Sequence, residues 1–286
     1  MKTFFYWTLT IIITLVVMYY QRVTGPTYPK KVKTEIAGKE YNFKLLRTNE
    51  IGTPCDINLP VEDEDKDLKA VITYKRYKVN EEWKSEEMIR KAITPKSLFG
   101  KKEITVLSAT LPEQPPAGKI EYRIELYKGG EKVALNEGEP VVIRFKGFVP
   151  RQILIPHIIF MILALFFGTR TGVELIFRRE KTLKYTVITL ISLGIGGLFL
   201  GPLVQYNAFG DYWTGWPFGG DWTDNKTLFA FIFWVISVFV LRRNPKNRLW
   251  PAIALIVMYS IYLIPHSTGG SELNPETGKV ETGMKN

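Results

Sequence analysis

Five runs of apolar residues constrain the fold of this chain more than any other feature of its sequence. They cover residues 4–20, 153–167, 185–204, 228–241 and 250–264. A helix needs about 17–25 residues to cross the ~30 Å core of a bilayer. The first and third runs reach that length, and the other three reach it only with flanking residues. The stretch 23–147 is charged and holds no apolar run of spanning length.

These runs predict a helical membrane protein with five spans and one inserted soluble domain. The expected parts are an N-terminal transmembrane anchor (1–23), an extracytoplasmic domain (24–148), a four-helix transmembrane domain (149–266) and an extracytoplasmic tail (267–286). The first run is long for the apolar core of a signal peptide, and residues 20–23 offer no small-x-small cleavage site. We therefore expect the anchor to be retained.

The soluble domain has the pattern of β-strands. Residues 119–127 alternate strictly between apolar and charged side chains, and Lys-Gly-Gly-Glu at 128–131 follows as a tight turn. Further strands are expected at 40–46, 70–79, 103–108 and 141–145. Short strands with turn signals at this spacing predict an all-β, immunoglobulin-like sandwich.

The distribution of basic residues predicts the orientation. Short connections rich in Lys and Arg stay in the cytoplasm. Basic residues crowd after the second and fourth spans, at Arg170, Arg178, Arg179, Lys181, Lys184, Arg242, Arg243, Lys246 and Arg248. The loop 205–226 has one, Lys226. The N-terminus is therefore expected inside, and the soluble domain, this loop and the tail outside. Topology also explains the net charge of +10 without a nucleic-acid partner.

The two histidines of the chain, His157 and His266, each follow the tripeptide Leu-Ile-Pro. In the predicted orientation both lie near the outer interface, on the same side as the loop 205–226. Carboxylates on that side come from the loop and the tail: Asp211, Asp221, Asp224 and Glu272. Imidazoles with carboxylates are a ligand set for a divalent transition metal such as Zn²⁺, Mn²⁺ or Fe²⁺. A haem held axially by both histidines ranks below such a metal.

Simpler interpretations of the histidines stay open beside the metal. Each imidazole follows a proline at a helix end and could bond a backbone group left free there. A proton-relay or pH-sensing role also suits an imidazole. The sequence contains no HExxH or HxH motif, so the cofactor stays unknown at this point.

Small residues and one charged pair suggest contacts between helices. Gly197 and Gly201 form a GxxxG pattern in the third run. Such glycines let helices pack closely, within one bundle or in a homo-oligomer. Arg170 and Glu174 stand four residues apart, which predicts an interfacial ion pair of small energetic value.

Two features of the soluble domain exclude other chemistry. The chain has one cysteine, Cys55, and therefore no internal disulfide, no CxxC pair and no zinc ribbon. Asp63, Asp65 and Asp67 have the spacing of a calcium loop, but Leu68 stands where that loop needs glycine. We expect a solvated acidic turn there.

The aromatic loop and the last strand carry a resemblance. Residues 212–226, Tyr-Trp-Thr-Gly-Trp-Pro-Phe-Gly-Gly-Asp-Trp-Thr-Asp-Asn-Lys, and residues 141–146, Val-Val-Ile-Arg-Phe-Lys, resemble an uncharacterised family of bacterial inner-membrane proteins. The resemblance runs from the β-domain to the C-terminal tail, and the loop is its most specific part. It implies a location in the bacterial cytoplasmic membrane and implies no activity.

Three functions compete on these observations. The first is a non-enzymatic membrane component whose β-sandwich binds a membrane or periplasmic protein on the outer face. The second is a metal- or haem-dependent site built from His157, His266 and the loop 205–226. The third, a transport subunit, is disfavoured because the spans hold almost no ionisable side chains apart from His157. Whether the chain is an enzyme stays open.

Overall fold

A computed structural model of the chain describes residues 2–94, 103–177, 180–264, 271–275 and 277–282. Helices and β-sheets are both present, which confirms the mixed architecture in the predicted fold class. The chain divides into two compact units. A helical unit comprises Met1–Pro26, Phe148–Glu272 and Val280–Asn286, and a β-unit comprises Thr27–Gly147 and Leu273–Lys279.

The helical unit contains the apolar runs. Its helices are α1 (Lys2–Thr24), α2 (Arg151–Ile176), α3 (Thr182–Leu193), α4 (Gly201–Phe209), α5 (Trp222–Arg243) and α6 (Leu249–Leu263), with a π-helical segment, Gly194–Leu200, joining α3 to α4. Four stretches are long and apolar enough to cross a membrane: Thr3–Thr24, Arg151–Ile176, Thr182–Phe209 and Thr223–Arg243. The fifth predicted span is an apolar helix of only 15 residues, shorter than the ~20 residues a bilayer requires.

Large apolar side chains and small residues together form the core of the helical unit. Trp234 of α5 is fully buried and belongs to one apolar cluster with Leu165, Met258 and Val17, which come from α2, α6 and α1. α1 also buries Thr10 and Thr14, whose hydroxyls donate to backbone carbonyls four residues earlier at 2.7 and 2.8 Å. These bonds satisfy both polar groups within the helix, so α1 can pack against apolar neighbours.

The glycines of the third run permit close approach within this unit. A Cβ on Gly197 would lie 2.5 Å from Cγ2 of Thr227 on α5, whereas one on Gly201 would meet atoms no closer than 3.6 Å. Gly197 therefore lies where α5 packs directly on the backbone. A homo-oligomer through Gly197 and Gly201 stays a prediction.

The pair Arg170–Glu174 differs from its prediction. Nη2 of Arg170 lies 2.6 Å from Oε1 of Glu174, and the two side chains are only 2% and 1% exposed. The rings of Trp7 and Tyr185 lie 4.8 and 5.0 Å from the guanidinium carbon. The pair is thus buried between α1, α2 and α3, and Arg170 belongs to the interior of the unit and not to a basic connecting loop.

The β-unit contains eleven strands within the described residues: β1 (Lys30–Ile36), β2 (Lys39–Leu45), β3 (Thr48–Glu50), β4 (Cys55–Pro60), β5 (Lys69–Arg76), β6 (Lys84–Glu87), β7 (Ile89–Ile93), β8 (Ile104–Leu111), β9 (Lys119–Lys128), β10 (Glu131–Ala134) and β11 (Val141–Lys146). One sheet has the order β3-β11-β9-β5-β6, with β10 beside β9. A second sheet is β4-β8-β7, and β1-β2 is a hairpin. β3 and β11 pair in parallel. Two further short strands, β12 (Ser271–Leu273) and β13 (Val280–Thr282), pair near the C-terminus.

The alternation in the sequence determines the main sheet. In β9, Ile120, Tyr122, Ile124 and Leu126 are buried, while the intervening side chains point outward. Gly129 and Gly130 have φ of +57° and +85° and form the predicted turn into β10. The main sheet, the β4-β8-β7 sheet and the β1–β2 hairpin share one apolar core. Cys55 lies in that core as a free thiol, and burial raises its pKa to about 12.

The acidic turn around residues 62–67 also differs from its prediction. Asp65 is buried, and its carboxylate accepts hydrogen bonds of 2.8 Å from both Lys39 and Lys128. Burial by itself raises the pKa of Asp65, but the hydrogen bonds from Lys128 and Lys39 outweigh it and lower the pKa to about 2. The turn is thus attached to the β1–β2 hairpin and to β9, and only its flanking carboxylates are solvated.

Candidate functional site

The loop between α4 and α5 is held by a network of side-chain hydrogen bonds. The predicted loop 205–226 includes the last turn of α4 and the first turn of α5, so the loop proper covers 210–221 and is called the aromatic loop below. Gly210 ends α4 with φ of +94°, and the Asp221 side chain caps α5 by accepting from the Thr223 amide at 2.7 Å. Both ends of the loop are therefore set by local backbone chemistry.

Asp224 holds the middle of the aromatic loop against α5. Its Oδ2 atom accepts from the amide of Thr214 at 2.7 Å and from the Gln205 side chain at 3.1 Å. The Thr214 hydroxyl lies 3.3 Å from the same oxygen and 2.8 Å from the Gln205 nitrogen. One buried carboxylate thus joins the end of α4, the loop and α5.

Asp221 extends this network to the C-terminal segment. Its Oδ2 atom lies 3.2 Å from the Thr214 hydroxyl, and it accepts from the amide and hydroxyl of Ser271 at 3.1 and 3.3 Å. Asp221 and Asp224 are both buried. The tertiary structure therefore brings two of the predicted site residues to the same threonine, where protein donors bond to Oδ2 of each aspartate.

The tip of the loop packs on the same turn of α5. The Trp216 amide donates to the Asn225 side chain at 2.6 Å, and the Trp213 indole donates to the Trp216 carbonyl at 3.1 Å. A Cβ on Gly215 would lie 2.6 Å from Cβ of Asp224, so only glycine fits at this position. Glycine thus allows the loop backbone to lie directly on α5.

Three aromatic side chains project from this network. Tyr212, Trp216 and Phe218 are 53%, 69% and 83% exposed. The ring of Tyr212 stacks on that of Tyr206 with centroids 4.3 Å apart. A polar network thus holds a loop whose exposed side chains are aromatic. Aromatic side chains of this kind are typical of the belts that proteins place at membrane–water interfaces.

His157 binds a neighbouring helix and not the end of its own. Its Nδ1 atom lies 2.9 Å from the carbonyl oxygen of Gly196, in the π-helical segment. A carbonyl can only accept, so Nδ1 is the protonated nitrogen in this contact. The same carbonyl accepts from the Gly201 amide. The Nε2 atom has no hydrogen bond to any described residue.

The predicted metal ligands are not assembled within the described residues. Asp211 is exposed and Glu272 half-buried, in contrast to the buried Asp221 and Asp224. No group of three or more His, Cys, Asp and Glu side chains in the described ranges is placed to hold a metal ion. His266 lies outside the described residues. Its pairing with His157, around a divalent transition metal or a haem, therefore stays a prediction.

Lys226 is a functional candidate that the sequence suggested only as a basic loop residue. It is 5% exposed and makes no hydrogen bond or ion pair with other described residues. It lines a cavity of about 20 Å³ together with Gln21, Thr223 and Tyr262. A cavity of this size holds a water molecule. Lys226 stands two residues after Asp224 and five after Asp221, and its burial becomes visible only from the tertiary structure.

The β-unit carries a second candidate site on the outer face of its main sheet. The Trp83 ring lies between two cations, with the guanidinium carbon of Arg123 at 4.7 Å and Nζ of Lys75 at 5.1 Å. Nζ of Lys119 lies 5.3 Å from the Tyr77 ring. We call these five residues the sheet-face cluster. Strand alternation predicts that Arg123 and Lys119 point outward, but nothing local predicts that Trp83 lies against Arg123.

Comparisons of the chain with protein-family models, with curated proteins and with solved structures find no match. The resemblance of residues 212–226 to a family of inner-membrane proteins therefore stays a prediction.

Proposed function

We propose that this chain is an integral protein of the bacterial cytoplasmic membrane that presents its β-unit on the outer face to bind a partner protein. In this proposal the β-unit is an immunoglobulin-like domain, α1 and the later helices are membrane spans, and the N-terminus is cytoplasmic. The protein works as a non-enzymatic binding component. Four helices of spanning length and the basic residues after the second and fourth apolar runs support the membrane arrangement.

In this proposal the sheet-face cluster is the surface that binds the partner protein. Trp, Tyr and Arg dominate the energetics of protein interfaces. Here all three stand together on the outer face of a sheet, with Arg123 exposed and Trp83 half-buried. The cation–π contacts hold these side chains in place, which reduces the entropy lost on binding.

A photo-reactive amino acid at Ser85 tests the binding role. Ser85 is exposed and directly opposite Thr73, two residues from Trp83. The matched control is the same amino acid at Asn42, which is exposed on the β1–β2 hairpin. We expect a discrete cross-linked product in living cells from Ser85 and none from Asn42. Equal products from both positions, or none from Ser85, contradict the proposal.

Cysteine labelling tests the orientation separately. In a Cys55→Ala background, Tyr212→Cys and Lys246→Cys place single thiols in the α4–α5 and α5–α6 connections, where both native side chains are exposed. A membrane-impermeant maleimide should label Tyr212→Cys in intact spheroplasts and Lys246→Cys only after lysis. The reverse pattern refutes the orientation without affecting the cross-linking result.

A further inference from the structure

The connection between α5 and α6 carries a cluster of exposed cations. We call its four basic residues, Arg242, Arg243, Lys246 and Arg248, the basic turn, and all four are exposed. None of their side chains forms an ion pair with a described residue. The sequence contains no aspartate or glutamate between Asp224 and Glu272. The basic turn is therefore a cationic surface without a local carboxylate to balance it.

Two asparagines fix the backbone of the basic turn. The Asn244 side chain accepts from the Lys246 amide at 3.2 Å, and the Asn247 side chain accepts from the Trp250 amide at 3.2 Å. Asparagine side chains often hold turns in this way. The Asn247 amide also donates to the Asn244 carbonyl at 3.0 Å. The backbone beneath the cations is thus ordered before any ligand binds, which reduces the entropy lost on binding.

The packing of α6 on α2 shows which residues share an end of the bundle with the basic turn. A Cβ on Gly172 would lie 2.5 Å from Cδ2 of Leu255, and the Tyr262 hydroxyl donates to the Met161 carbonyl at 3.1 Å. Late residues of α2 thus meet early residues of α6, so the two helices are antiparallel. The α2–α3 connection therefore lies at the same end as the basic turn.

The α2–α3 connection does not neutralise this end of the bundle. Glu174 is buried in its pair with Arg170. Glu180 is exposed, but Lys181 and Lys184 close by are exposed as well. The charge that this connection adds at the surface is therefore positive, and the end as a whole stays cationic.

An exposed apolar stripe begins directly beside the basic turn. Leu249, Ile256 and Leu263 of α6 are 63%, 65% and 45% exposed. They stand seven residues apart, which places them on one face of the helix. At 1.5 Å per residue this stripe is about 21 Å long, which exceeds the ~15 Å of hydrocarbon in one leaflet of a bilayer. Cations at the start of α6 thus adjoin a long apolar face.

We propose that the basic turn and the α6 stripe bind an anionic phospholipid, with its phosphate on the basic turn and an acyl chain along α6. Arginine and lysine both donate to phosphate oxygens, and arginine does so in bidentate geometry. In the proposed orientation the basic turn faces the cytoplasmic leaflet, whose anionic lipids attract basic residues beside a span. The stripe favours a lipid over free phosphate or a nucleic acid, because neither of those has an acyl chain. This inference rests on the membrane location in the proposed function and not on the partner protein.

Native mass spectrometry of the full chain in neutral detergent tests this inference. The probe is dioleoyl phosphatidylglycerol, and the reference is dioleoyl phosphatidylcholine, which has the same acyl chains and no net charge. The wild type should bind the anionic lipid about tenfold more tightly, equivalent to ~1.4 kcal/mol. Lys246→Gln/Arg248→Gln should lose most of this preference. Equal binding of the two lipids by the wild type overturns the proposal.

The matched control is Lys181→Gln/Lys184→Gln, in the α2–α3 connection. It makes the same change in net charge at the same end of the bundle but leaves the basic turn and the stripe intact. It should change the lipid preference by less than about twofold. An equal loss in both double variants means attraction by charge alone and rejects a site at the basic turn.

A substitution in the stripe tests the position of the acyl chain. Leu249→Asn removes an exposed apolar side chain and no charge. It should weaken binding of both lipids by about threefold or more and leave the preference between them unchanged. Unaltered binding of both lipids would show that the chain does not lie along α6.

Other ligands give different results. Inorganic phosphate that displaces the lipid at equal concentration would show a site for a free anion, and an RNA oligonucleotide that does so would show a nucleic-acid site; either result contradicts the proposal. If Lys246→Gln/Arg248→Gln does not fold, Arg248→Gln replaces it, with an expected loss of about threefold. Lipid preference without a cross-link from Ser85 retains this site and rejects the partner protein. A cross-link without lipid preference does the reverse.

Discussion

Arg170 and Glu174 form an ion pair of 2.6 Å in which neither side chain reaches solvent. Glu174 also accepts from the Lys181 amide at 3.0 Å, which fixes the start of α3. The Arg170 guanidinium is stacked by Trp7 and Tyr185, from α1 and α3. The ion pair therefore connects α1, α2 and α3 in the interior of the helical unit.

Removing one partner of the Arg170–Glu174 ion pair should destabilise the helical unit. Arg170→Met leaves the Glu174 carboxylate buried without its cation, and removal of one partner of a buried pair costs about 3–5 kcal/mol. Thermal unfolding of the purified protein in detergent measures the effect. The double variant Arg170→Met/Glu174→Gln leaves no uncompensated charge and should recover more than half of the loss. A single variant as stable as the wild type would contradict the assignment.

Gly197→Ala should also destabilise the helical unit, and for a steric reason. The added Cβ would lie 2.5 Å from Cγ2 of Thr227, and overpacking of this kind costs about 1–3 kcal/mol. Thr227→Ser removes that methyl group and should rescue Gly197→Ala in a double-mutant cycle. Gly201→Ala serves as the control because its Cβ meets only ordinary contacts. Unfolding in detergent measures stability, and loss of an oligomer in both alanine variants would indicate self-association instead.

Because of Asp65, the β-unit should become less stable at low pH. Its pKa of about 2 lies below the ~3.9 of an unfolded aspartate. The ionised form is thus favoured by folding, so its contribution is present above pH ~4 and is lost as the pH falls toward 2. Asp65→Asn should lower the free energy of unfolding by about 2 kcal/mol at neutral pH, and stability should then depend less on pH between about 4 and 2. Asp67→Asn, at an exposed position, should behave as the wild type; an equal loss there would refute the role of Asp65.

Thr214→Val should loosen the aromatic loop without unfolding the protein. The variant keeps the shape of the side chain but removes the hydroxyl that lies near Asp221, Asp224 and Gln205. Loss of about 1–2 kcal/mol of local stability should speed amide hydrogen exchange in residues 213–216 by about tenfold. Thr110→Val, which removes a hydroxyl bonded to Asp56 in the β-unit, should leave exchange in the loop unchanged. Unchanged exchange in Thr214→Val would show that the hydroxyl does not hold the loop.

Local patterns predicted the apolar helices and the strands β2, β5, β8, β9 and β11, but not the other eight strands of the described residues. Strict alternation in residues 119–127 predicted β9, because a strand with one buried face needs apolar side chains at every second position. The five apolar runs predicted five spans, and four helical stretches of spanning length are present among the described residues. The fifth run forms a helix of 15 residues, which begins after Arg248 and ends before Ile264.

The sequence by itself thus determined the apolar helices, the strands β2, β5, β8, β9 and β11, and the side chains that point outward on β9, because these depend on residues close together in the chain. Tertiary structure alone decided the partners of the polar groups. It buried Arg170 with Glu174, joined Asp221 and Asp224 through Thr214, and stacked Trp83 on Arg123. The physical reason is that desolvation and pairing of a polar group depend on distant segments that pack around it, and neither spacing nor composition specifies that packing.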